Sequence, residues 1–125
     1  MPFLGYPIGC PPVDAQPCIG SVYRLVAASP INAGDFVSYF EQQPARNWAD
    51  PCLARGLSIC ITYEAAVRLR KRIGALRGHK AAVAQLDASA GVIKKTTASP
   101  DHHTWWRDSG FEPVGAFAIV AQEML

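Results

Sequence analysis

Apolar and polar side chains alternate over residues 21–27, which predicts a strand with Val22, Arg24 and Val26 on one side and Tyr23, Leu25 and Ala27 on the other. An arginine therefore stands on one face of the first strand. After Pro30 the spacing of Phe36, Val37 and Phe40, with Asp35 near the start, predicts a short helix from Asn32 or Ala33 to Glu41. A loop containing Trp48 follows, and then an apolar, β-branched strand over residues 56–62. Thr62 stands where an N-cap belongs for the clearest helix in the chain, residues 63–73. Ala66, Leu69 and Ile73 line one side of it, while Arg68, Lys71 and Arg72 occupy the other. Beyond it, residues 80–87 and 92–97 read as the two strands of a hairpin around a tight turn at 88–91, and residues 114–121 as an apolar last strand.

This order predicts an α+β fold: a single compact domain over residues 21–125, with about six mostly antiparallel strands and two helices. Residues 1–20, rich in Pro and Gly, form an extended arm. Its Phe3, Leu4, Tyr6 and Ile8 suggest packing on the domain's own core or on a second subunit. The length of 125 residues suits one domain, and no apolar stretch approaches the ~18 residues that span a bilayer. No membrane partner is expected. The first basic residue is Arg24 and prolines interrupt the leader, which speaks against a secretory signal and for a cytoplasmic protein. Cys10, Cys18, Cys52 and Cys60 contain no CxxC pair, and a domain that is 50% hydrophobic does not need staples, so the thiols are expected to be mostly reduced.

Net charge of +2 changes meaning once it is divided along the chain. Residues 55–95 carry nine basic side chains and two acids, leaving the remainder acidic. Arg68, Lys71, Arg72, Arg77, Lys80, Lys94 and Lys95 are the candidate polyanion-binding set of this basic 68–95 segment. A pI of about 8.4 and aromatics that lie elsewhere argue against a dedicated nucleic-acid binder.

Asp101, His102, His103, Thr104, Trp105, Trp106 and Arg107 are the densest run of functional side chains. In a strand, His103, Trp105 and Arg107 share one face, and a histidine beside an aromatic wall suits a nucleotide pocket. The competing use of the two tryptophans is core or interface packing. Two adjacent histidines lack metal-ligand spacing, so no metal is expected.

The segment 55–66, in which the strand 56–62 with Ser58 and Thr62 runs into Tyr63, Glu64, Ala65 and Ala66, resembles the middle element of the ADP-ribosyltransferase-like fold. That resemblance implies a ligand such as NAD or another ADP-ribosyl compound, held by Arg24 on the first strand and by Ser58, Thr62 and Tyr63 on the second. Trp105 would stack on a ring, and His103 or Glu112 would serve the reacting carbon. Such transferases usually carry a catalytic Glu on a late strand, and only Glu112 and Glu123 are candidates here. The alternatives are a non-enzymatic interaction or neutralising module that meets a partner or a second copy through the arm, and a weak nucleic-acid binder.

Overall fold

The computed structural model describes residues 6–27, 29–99 and 101–124. It is an α+β domain built on one antiparallel sheet. The strands are β1 (Gln16–Pro17), β2 (Gly20–Val26), β3 (Leu57–Cys60), β4 (Lys80–Leu86), β5 (Gly91–Lys95), β6 (His102–Arg107) and β7 (Ala118–Ile119), in spatial order β1-β5-β6-β3-β2-β4-β7. The α-helices are α1 (Tyr39–Gln42), α2 (Pro51–Ala54) and α3 (Tyr63–Arg72). Among the described residues no helix is long and apolar enough to cross a membrane.

Strand alternation divides the side chains between two faces. Val22, Val26, Leu57, Ile59, Ala82, Ala84, Leu86 and Trp105 form the main core on one face, closed by Phe36, Phe117 and Ala90. The other face carries Tyr23, Leu25, Cys60, Ala81 and Val83, covered by Ala65, Ala66 and Leu69 of α3. That helix begins where the sequence places it, because Thr62 accepts from the Ala65 amide at 3.1 Å. Glu123 ties both ends of the helix to β4: it receives Arg70, the Tyr63 hydroxyl at 2.6 Å and the Ala81 amide at 3.0 Å.

Four sequence expectations need correction. The helix expected before Glu41 is broken into a 3₁₀ turn, Ala33–Phe36, and α1, because Asn32 and Ser38 each close a capping box and Val37 between them is extended. α2 replaces part of the expected loop, started by Asp50 as N-cap and Pro51 in the first turn. β4 and β5 are not a hairpin. β4 pairs with β2 and β7, and β5 with β1 and β6. The turn at Ala88–Ala90 carries the chain across the sheet instead, into Gly91 at φ 118°. A side chain there would meet the Trp106 carbonyl at 2.2 Å, so glycine is required. Last, only Ala118–Ile119 of the expected final strand pairs, while Phe117 and Val120 on either side are buried in the core.

The arm lies across the domain. Tyr6 donates to the Arg107 carbonyl at 2.6 Å, Gln16–Pro17 add an edge strand to β5, and Asp14 meets Lys94 at 3.0 Å. Phe3 and Leu4 lie outside the described residues. The expectation of reduced thiols fails for one pair: Cys10 is bonded to Cys52, tying the arm to α2 across 42 residues. Neither spacing nor composition marks this pair, since the contact exists only once the arm has crossed the domain. Cys18 and Cys60 are free, buried thiols, and burial pushes both up to about 11.

Two outcomes test this architecture. Thiol titration of the denatured, unreduced protein will find Cys18 and Cys60 alone, and Cys10→Ser will lower unfolding free energy by about 2–4 kcal/mol in denaturant melts. The Glu123 carboxyl, held down to about 2 chiefly by Arg70, lies below its unfolded value. Its contribution is therefore complete above about pH 4.5 and declines as pH falls toward 2. The melting-temperature gap between the wild type and Glu123→Gln will accordingly narrow over that range.

Candidate functional site

The β2–β3 ladder is paired only at Tyr23 with Cys60, whereas β2 and β4 pair along the whole of β2. Beside that single pair the Arg24 guanidinium takes over from the backbone. Its Nη1 donates to the Ser58 carbonyl at 2.8 Å and its Nε to the Asp35 carbonyl at 2.8 Å, and its Cζ lies 5.8 Å from the centre of the Phe36 ring. Burial lowers Arg24 to about 10, which leaves it cationic at neutral pH. The Asp35 carboxylate is buried below and accepts from the Ala27 and Asn32 amides at 2.9 and 3.0 Å.

Over this junction lies a cleft of about 820 Å³. Its floor is the α3-covered face of β2, β3 and β6, including Tyr23, Ser58, Cys60, His102 and Thr104. One wall is Leu69 and Ile73 with Leu76 and His79, and the other is Tyr39, Trp48, Asp50 and Leu53. Gly56 sits where α2 meets β3, and an added Cβ would lie 2.1 Å from Thr104 Cγ2 and 3.4 Å from the Trp106 ring. The ring of Trp106 is buried and donates to the Cys52 carbonyl at 2.8 Å, fixing the α2 wall to β6.

On the floor, Ser58 Oγ is hydrogen-bonded to His102 Nε2, and His102 Nδ1 meets Thr97 Oγ1 at 3.3 Å. Thr96 and Thr104 hydroxyls pair at 2.6 Å beside them. Burial, together with the charges of His103 and Arg72, lowers the His102 pKa and favours the neutral ring. On the wall, Tyr39 and Trp48 stack with centroids 6.4 Å apart, and Arg46 covers Trp48 at 4.3 Å. Trp48 is held by its indole N–H on the Gln43 carbonyl at 3.2 Å.

Of the residues expected in a ligand site, Arg24 and Ser58 line the cleft. The others are placed elsewhere. His103 stands opposite Ile59 and Lys95, on the face away from Ser58's side chain. Trp105 shares that face as expected, but it is the core face. Its ring is 0% exposed, touches Phe111 and Phe117, and donates to the Ala90 carbonyl, so it cannot stack on a ligand. Thr62 is occupied as the α3 N-cap, and Tyr63 by Glu123. Glu112 accepts from the Val114 amide in an exposed turn and does not line the cleft.

Three members of the basic set have acidic or carbonyl partners. Arg68 pairs with Asp101 at 2.6 Å, Lys94 with Asp14, and Lys80 donates to the Glu123 carbonyl at 3.2 Å. Lys71 and Arg77 flank a separate recess, Arg72 is exposed at the end of α3, and Lys95 follows the opposite sheet face from Lys94.

Sequence reasoning chose His103 rather than His102 from the Asp101–Arg107 run, and missed Thr96, Thr97 and the Tyr39–Trp48 wall. A signal existed for Trp48, a large aromatic in a polar loop just ahead of Asp50 and Pro51. His102 could be told from His103 only by knowing which face of β6 is core.

Gly56→Ala will destabilise the protein by about 1–3 kcal/mol through overpacking, measured by urea denaturation, and restoring space with Thr104→Ser will recover part of the loss. Compared with models of protein families, with curated proteins and with solved structures, the chain matches none.

Proposed function

We propose that the chain binds a nucleotide-type ligand, of which NAD and ADP-ribose are the leading members, in the cleft between α3 and α2. The observation that carries this reading is the cleft's division of labour: a stacked Tyr39–Trp48 wall beside a polar floor containing Ser58, His102 and Thr104, with apolar side chains between. Planar rings gain most from stacking on aromatic faces, while ribose hydroxyls need hydrogen-bonding groups at a fixed distance from the ring. The resemblance of the β3–α3 segment to the ADP-ribosyltransferase-like fold supports the same ligand class. The reading is one of binding. Transfer of an ADP-ribosyl group through Glu112 has no support from that residue's position.

NAD and ADP-ribose will each raise the melting temperature by several degrees at saturating concentration and quench the fluorescence of Trp48. Trp48→Ala will abolish the quench and weaken the shift, whereas Trp105→Phe will lower stability and leave the ligand-induced shift in place. No shift from either compound in the wild type sinks the proposal.

A second reading is favoured by the arm, where Ile8 and Val13 are almost fully exposed and Ile19 is 70% exposed. Isolated apolar side chains are ordinary on surfaces, but three on one arm suit a protein contact. If a second copy meets the arm, light scattering will give a mass above the monomer's 13.5 kDa that falls to the monomer value in Ile8→Asp/Val13→Asp. A monomer in both removes the self-association form of this reading.

A further inference from the structure

We infer that Ser58 and His102 form a base-activated serine nucleophile that accepts acyl groups from esters or thioesters. The inference uses the cleft described above but not the identity of its nucleotide ligand, and it adds a covalent activity to that site.

A serine hydroxyl is a poor nucleophile unless a base within hydrogen-bond reach removes its proton as the new bond forms. Ser58 meets that condition through Oγ on His102 Nε2. The two residues are directly positioned by the sheet: Ser58 lies opposite Thr104, and Cys60 opposite His102, so both side chains stand on the same face of adjacent strands. Both are only partly buried, and both open into the cleft. Neither is used to hold an element together, unlike Thr62, Tyr63 or Arg24.

The other ring nitrogen is oriented too. Nδ1 faces Thr97 Oγ1 at 3.3 Å. When Nδ1–H donates to that hydroxyl, Nε2 carries the lone pair that takes the Ser58 proton. Thr97 is thus a positioning residue for the base. The strand itself is fixed from beneath by Arg24 on the Ser58 carbonyl, which holds Oγ in register with the imidazole.

The chemistry balances with an ester and water alone. Ser58 Oγ bonds to the carbonyl carbon while its proton passes to His102 Nε2. The bond from carbon to the leaving oxygen or sulfur breaks, and the leaving group takes the proton from the imidazolium. Water then attacks the acyl-serine, gives a proton to Nε2, and releases the acid as that proton returns to Ser58 Oγ. Leu53, Leu69 and Ile73 line the same cleft and suit an aliphatic acyl chain.

The test is labelling of the whole protein with an alkyl fluorophosphonate, followed by intact mass and peptide mapping. Attack forms a P–O bond and expels fluoride, so one adduct is expected, on Ser58. The adduct will be absent in Ser58→Ala, and labelling will be slower by about 100-fold or more in His102→Gln, as loss of a general base requires. Thr97→Val will slow labelling by a smaller factor. Circular dichroism and melting temperature establish that each variant is folded. If His102→Gln is not, the wild-type adduct and the Thr97→Val rate still decide the matter. No adduct on Ser58 in the wild type, or labelling of a folded His102→Gln at the wild-type rate, overturns the inference. Nucleotide binding is read separately: an NAD-induced melting shift without labelling sinks the nucleophile alone, and labelling without a shift sinks the ligand alone.

Discussion

The Arg24 guanidinium joins β2, β3 and the 3₁₀ turn at one point. A regular ladder between β2 and β3 would satisfy the Ser58 carbonyl with a backbone amide and leave no gap. Instead the ladder is paired at Tyr23 and Cys60, and a side chain completes the hydrogen bonding while tying the 3₁₀ turn to the same point. A buried cation is costly unless its donors are satisfied. Arg24 meets that requirement with two carbonyls and the face of Phe36, beside the buried Asp35. It ties β3 at Ser58 to the 3₁₀ turn that leads toward α1.

The walls of the cleft depend on separate devices. α3 is fixed at its start by Thr62 and along its length by the Arg70–Glu123–Tyr63 cluster, and of its wall residues Leu69 packs against the core while Ile73 is exposed. The α2 wall rests instead on Trp106 from beneath and on the disulfide from the arm. The segment bearing Trp48 is held mainly by local contacts: the indole on Gln43, Arg46 over the ring, and Tyr39 against it. Regions with few buried apolar contacts open most readily. The aromatic wall therefore rests on local contacts, whereas the Ser58–His102 floor is part of the paired sheet.

Much of the fold was legible because its signals are local. The alternation around Arg24 gave β2 its correct faces, Thr62 marked the start of α3, and the period-two argument correctly put His103, Trp105 and Arg107 together. Expectations failed where a long-range partner decides the outcome. Residues 80–97 have the look of a hairpin, with two strands around a turn. Yet β4 finds longer pairing with β2, and β5 is drawn to β6 by packing of Ile93 and Trp105 on the core face. Adjacent strands in sequence are usually neighbours in space, and here that tendency loses to burial.

The candidate site divides along the same line. From the sequence alone came the residue types, the arginine on the first strand, the serine on the second, and the fact that only one histidine of the pair could face a given cleft. Which histidine that was depended on which face of β6 carries the core, and this depends on Trp105 packing against Phe111 and Phe117, residues brought to it by tertiary folding. The Cys10–Cys52 bond and the Tyr39–Trp48 wall are of the same kind. Periodicity fixes the relative orientation of side chains within one element, whereas the choice between interior and cleft is made by whichever distant surfaces the completed sheet can bury.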